Sequence, residues 1–272
     1  MQYKKQIAIF LFTLMFILGL SSCSDYNKVV KGDDYQLKFE TANSLYDKGQ
    51  FMRSIALYEQ IYQKMPKSGE GELAYYRIGK AYYAEKDYYM AGYYFGAYSQ
   101  RYPYSSKSQE ALFLSAMCSV FNSPEPSLDQ NDTELAISNL QQFIDTYPQS
   151  ELIDSCNRVM DGLRLKLEKK DYDAVKLYEK TQNYRAAVMT ASTFLNDYPR
   201  SKHREEISFI LLQNSFELAV NSIDSKKKER IDQTIERYRT FTADFPESSY
   251  KRMADKISDD MNQELQRIEL KK

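Results

Sequence analysis

The chain has 272 residues, a formal charge of −1, 14% aromatic residues, no tryptophan and one histidine. Near-balanced charge offers no basic surface for nucleic acid or anionic lipid. One histidine leaves no second imidazole to complete a metal site, and no glycine-rich phosphate loop or nucleophile elbow occurs, so neither enzyme activity nor a cofactor is expected.

In chain order, Lys4 and Lys5 precede a short apolar run, Ile7 to Leu20, which reads as the hydrophobic segment of an export signal rather than a membrane span. It ends in Leu20-Ser21-Ser22-Cys23, which is similar to the bacterial lipobox. That likeness implies cleavage before Cys23 and acylation of its sulfur, with residues 1–22 as the lipoprotein signal peptide. Removing them takes away two lysines and no acid. Residues 23–35 then read as a polar, lipidated tether.

From residue 36 onward one signature recurs. Pro66-Lys67-Ser68, Pro103-Tyr104-Ser105, Pro148-Gln149-Ser150, Pro199-Arg200-Ser201 and Pro246-Glu247-Ser248 use five of the seven prolines, at spacings of 37, 45, 51 and 47 residues. Proline stops a helix, and the serine two residues later is expected to cap the next one. Five residues before each proline stand Ile61, Tyr98, Phe143, Phe194 and Phe241; one residue before it stand Met65, Tyr102, Tyr147, Tyr198 and Phe245. Four apart, each pair shares a helical face. Small residues occupy the twelfth position before the proline: Ser54, Ala91, Ala136, Ala187 and Thr234.

A small residue, an aromatic and a terminal proline at these offsets match the tetratricopeptide repeat, a helix pair of about 34 residues. Gly79, Tyr82, Tyr88, Ala91, Phe95 and Pro103 fit it most fully. The fold expected is therefore an all-α, tetratricopeptide-like repeat solenoid of about five helix pairs. Longer spacings need extra residues. Asn122 to Asp132, with Pro124 and Pro126, reads as a loop inside the third repeat, and Glu151 to Tyr178 as part of an elongated helix pair. After Ser248, Met253, Ile257, Met261, Leu265 and Ile268 form an apolar stripe suited to capping the open end. His203 is expected on the surface, and Cys118 and Cys156 as separate buried hydrophobes rather than a disulfide.

The acylation signal, the five repeats, Tyr172 to Tyr178 with Tyr184 to Val188 and Asn196-Asp197-Tyr198-Pro199, and Tyr46 to Tyr58 together resemble the BamD family of outer-membrane lipoproteins. This resemblance implies a scaffold in the β-barrel assembly machine, anchored in the outer membrane by lipid and facing the periplasm. Its implied partners are the periplasmic domain of BamA and unfolded outer-membrane proteins bearing a C-terminal targeting segment. Residues 36–150 are then the candidate substrate half and 151–272 the candidate BamA-docking half. Alignment of the first two repeats places Asn43, Tyr46, Tyr76, Lys80 and Tyr83 along a candidate peptide groove, with Arg77 beside them. Tyrosine is more abundant on these helices than the general pattern requires. Two other readings stay open: a glycan-binding surface lipoprotein of the SusD type, and a generic periplasmic scaffold for envelope biogenesis.

Overall fold

The computed structural model describes residues 25–270, so Cys23 and the expected signal peptide lie outside it. Helix α1 covers residues 25–31. Five pairs follow: α2 (Tyr35–Asp47) with α3 (Phe51–Lys64), α4 (Gly69–Ala84) with α5 (Tyr88–Arg101), α6 (Ser108–Asn122) with α7 (Asn131–Thr146), α8 (Ile153–Lys180) with α9 (Tyr184–Asp197), and α10 (Arg204–Val220) with α11 (Asp224–Asp244). Helix α12 (Lys251–Leu270) ends the series, and there are no strands among the described residues. The expected tetratricopeptide-like fold is therefore present.

Two compact units divide the chain. Among the described residues, one comprises those up to 124 together with 130–160, and the other 125–129 together with those from 161 onward. The division falls inside α8, ten residues beyond the boundary expected at 150/151. Within the second unit, the Lys170 ammonium donates to the Leu128 carbonyl at 2.6 Å, tying residues 125–129 to α8. The extra length of the fourth repeat lies wholly in α8, a single 28-residue helix.

The residues picked out by proline spacing form the core. Ser54, Ala91, Ala136, Ala187 and Thr234 are fully buried, as are Ile61, Tyr98 and Phe143; Phe194 and Phe241 are nearly so. In four repeats the ring before the proline packs on the ring four residues earlier: Tyr98–Tyr102, Phe143–Tyr147, Phe194–Tyr198 and Phe241–Phe245, with centroids 5.0 to 5.7 Å apart. Helices α5 and α6 approach closely because α5 carries no Cβ at Gly92 and Gly96; one added there would stand 3.2 Å from Cys118 Cβ and Ser115 Oγ.

Each second helix ends in the same way. The residue before proline leaves the helical region, at φ −121 to −133° and ψ 55 to 66°, as proline's ring demands. Its amide still donates 2.9 Å to the carbonyl four residues back. The serine behaves differently from expectation at four of the five turns. Only Ser68 caps the following helix, accepting from the Gly71 amide at 3.0 Å. Ser105, Ser150, Ser201 and Ser248 accept instead from the amide two residues on, ahead of the helix start.

Those four hydroxyls also reach the previous repeat. Ser105 donates to Glu72, Ser201 to Glu168 and Ser248 to Glu205, each at 2.6 Å, while Gln109 donates to Ser150 at 2.7 Å. Glu72, Gln109 and Glu205 each follow their own repeat's serine by four residues, so one turn is clamped to the first helix of the repeat before it.

Residues 25–31, expected within a tether, instead dock on the first repeat. Val29 and Val30 pack against the Ala42, Ile55 and Leu57 cluster, and the Tyr26 hydroxyl donates to the Arg53 carbonyl at 3.1 Å. Lys38 is 3% exposed and donates to the Val30 carbonyl at 3.1 Å and to Gln60 at 2.5 Å, with its ammonium 4.9 Å from the Tyr35 ring centre. At the other end, Ala254, Ile257 and Met261 bury against Phe209, Leu212 and Phe241. Leu265 and Ile268 join them, while Met253, expected in the stripe, is exposed because Ala254 takes the inward place.

Two outcomes follow from these turns. A Cβ on Gly71 would lie 1.9 Å from the Met65 carbonyl oxygen, whereas one on Gly69 meets nothing within 4 Å. Gly71→Ala should therefore destabilise by about 1–3 kcal/mol or more in denaturant unfolding, and Gly69→Ala should be neutral or mildly stabilising; equal behaviour would contradict the close approach. The second concerns acid. Hydrogen bonds from Ser105 and then Tyr98 hold the Glu72 carboxyl below its usual range. A depressed carboxyl contributes stability above its unfolded pKa and loses it as pH falls through the folded value. Wild type should lose stability below about pH 4.5, and Glu72→Gln should flatten that part of the curve; an unchanged acid limb would remove Glu72 from the clamp's pH dependence.

Candidate functional site

The six candidate groove residues sit on the first helices of repeats one and two, in the first compact unit. They fall into two groups. Arg77 of α4 donates to Asn43 Oδ1 at 2.6 Å and to the Tyr58 hydroxyl at 3.1 Å, and Tyr58 itself donates to Asn43 at 2.8 Å. The guanidinium lies 5.3 Å from the centre of the Tyr46 ring. Burial raises the pKa of both Tyr46 and Tyr58, and the Arg77 charge partly offsets it.

Arg77 therefore has neutral partners. No carboxylate forms an ion pair with it among the described residues, and it is half-buried beside two phenol rings. A cation in that setting is positioned to accept an incoming carboxylate, because its donors are pre-oriented and its aromatic surroundings exclude some water.

The second group is engaged within the fold. Lys80 pairs with Glu110 of α6 at 3.4 Å. Tyr76 is buried, its ring 5.9 Å from Phe95 and 5.3 Å from Tyr98. Burial and then a hydrogen bond to Glu110 push its phenol pKa well up. Tyr83 packs edge-on among Tyr88, Phe95 and Phe121. The candidate lining thus resolves into a polar cluster around Arg77 and a set of side chains that join neighbouring repeats.

Sequence spacing missed Tyr58 and Glu110. Tyr58 is fully buried on α3, and periodicity marks its ring as core without revealing where the hydroxyl points. Glu110 lies in the first turn of α6, where an acid has an ordinary dipole explanation. The rest of the tyrosine-rich stretch mostly fills a seam between repeats: Tyr62–Tyr75, Tyr75–Tyr94 and Tyr82–Tyr94 lie 4.4, 5.1 and 5.6 Å apart. Tyr89 and Tyr93 are the exceptions, exposed on α5.

Elsewhere, His203 is less solvated than expected. It precedes α10 with its ring 4.2 Å from that of Tyr172 and its Nδ1 4.0 Å from Glu206. Cys118 and Cys156 are both buried and unbonded to each other. Burial pushes the Cys118 thiol up to about 12, which leaves it a packing residue rather than a nucleophile.

Comparison with known proteins adds a family. A model described as outer membrane lipoprotein, YfiO, matches residues 32–192 and 172–271, two spans that overlap in α8 and α9. The chain is 21% identical over 186 residues to the outer membrane protein assembly factor BamD of Caulobacter vibrioides. That alignment covers 68% of this chain and 61% of the relative's length. A solved kinesin light chain from Podosopora anserina with TPR-like repeats aligns at 12% identity and TM-score 0.31, over 78% of this chain and 97% of that one.

Proposed function

The chain belongs to the YfiO family of outer membrane lipoproteins, and from that membership we propose that it is a lipid-anchored scaffold for outer-membrane protein assembly. Cys23 carries the anchor, the repeats face the periplasm, and the role is binding rather than catalysis. The observation that carries this reading is the family match, which runs through both compact units. Residues 151–272 are the half that docks on BamA, and the first unit receives the C-terminal segment of an unfolded outer-membrane protein.

In that first unit the carboxylate partner is Arg77. It forms no ion pair among the described residues, whereas Lys80 already has Glu110. An aromatic side chain beside a free carboxylate would find the Tyr46 ring and the guanidinium together. A charge-assisted hydrogen bond of about 1.5–3 kcal/mol corresponds to roughly tenfold or more in affinity.

Purification of the full chain from detergent-solubilised membranes tests the scaffold. BamA should accompany it, truncation after Ser150 should lose BamA, and Cys23→Ala should move the protein to the soluble fraction; a chain that never retains BamA would falsify the docking assignment. Peptide titration tests the groove. Arg77→Ala should weaken an aromatic-ended peptide with a free carboxylate by about tenfold or more, while the amidated peptide is insensitive to the change. Equal wild-type affinity for both peptides would end the carboxylate role.

A further inference from the structure

The second compact unit contains a cavity of about 280 Å³ where α9, α10 and α11 meet. Arg204 and Arg237 enter it, Ser208 and Thr240 add hydroxyls, Leu211 supplies an apolar wall and Asp244 stands on its rim. The two arginines are held in different ways. Arg204 donates to the Leu195 carbonyl at 3.2 Å and lies 3.8 Å from Asp244, a loose ion pair. Arg237 donates to the Ser215 hydroxyl and forms no ion pair among the described residues.

A guanidinium withdrawn from water without a counter-charge is unfavourable unless something else compensates it. Burial is the cause that lowers the Arg237 pKa, and no carboxylate acts against it. What the charge supplies is donor capacity beyond the bond to Ser215, on a side chain that lines the cavity beside a second arginine.

The geometry points to a carboxylate-binding site formed by Arg237 and Arg204, taking an anionic group whose carbon chain lies against Leu211. Two arginines and Asp244 leave a single positive charge, which one carboxylate neutralises. A doubly charged phosphate would bring its second charge against Asp244. Arginine's planar fork also matches the two oxygens of a carboxylate. The carboxylate can be carried by an acidic side chain in a polypeptide or by a free small acid. This site is separate from the Arg77 cluster and stands whether or not that cluster binds a targeting segment.

The test uses the full chain in detergent micelles, following the arginine Nε–Hε NMR signals as sodium glutarate, inorganic phosphate, or the blocked peptides acetyl-Gly-Glu-Gly-amide and acetyl-Gly-Gln-Gly-amide are added. Glutarate and the glutamate peptide should shift the Arg237 signal saturably, and the glutamine peptide should not. Tighter binding of the peptide identifies a polypeptide source, and tighter binding of glutarate a small acid. Arg237→Met should weaken both by about tenfold or more while leaving the melting temperature unchanged or raised, because an uncompensated charge has been removed. If that variant does not fold, Arg204→Gln carries the same expectation. Absence of a saturable shift with either carboxylate, phosphate binding more tightly than both, or wild-type affinity in the folded variant would overturn the site.

Discussion

Everything in this chain is indexed to the turn that joins one repeat to the next. Proline forces its predecessor out of the helix, and the amide of that predecessor still closes the last helical turn. The serine amide then bonds back to the carbonyl of the same predecessor, at 3.0 to 3.1 Å in all five turns. With the backbone so constrained, four serine hydroxyls fall within reach of Glu72, Gln109, Glu168 and Glu205. A repeat protein has no distant contacts to correct an error of register, so nearest-neighbour interactions must specify it. Apolar packing supplies most of the burial, and the clamp supplies direction.

Tyrosine serves the same economy of contacts. A phenol buries a large apolar face and carries a hydroxyl that must be satisfied. Tyr98 packs on Tyr102 and also donates to Glu72; Tyr198 packs on Phe194 and donates to Asp171; Tyr94 packs on Tyr75 and Tyr82 and donates to Glu59. Among the described residues no buried side-chain polar atom lacks a hydrogen-bond partner. Phenylalanine would fill these positions but remove the phenol donor from Glu59 and Asp171 and leave Glu72 with Ser105 alone. The abundance of tyrosine is thus largely structural.

Against that satisfied background, the cations without acidic partners stand out. Lys38 is compensated by a helix-terminal carbonyl, an amide and a ring, and its role is to hold α1 on the first repeat. Arg77 and Arg237 are likewise held by neutral groups, and Arg237 lines the cavity where α9, α10 and α11 meet.

The repeat architecture was legible in the sequence because the information was local and periodic. A proline every 37 to 51 residues, with an isoleucine or an aromatic five before it and a small residue twelve before it, identifies helix ends and core positions without reference to any partner. Those positions are buried as the spacing implied, and the loop after Asn122 and the capping helix lie where composition placed them. Periodicity gives the face of a helix, however, and not the direction of a hydroxyl or the identity of its partner. That Ser105 reaches Glu72 rather than the next helix, that Tyr58 joins Arg77, that Lys80 is taken by Glu110, and that residues 25–31 fold back rather than trail free were all decided by which helices pack side by side. These are contacts across 8 to 33 residues of chain between groups with several chemically equivalent choices, and only tertiary packing selects among them.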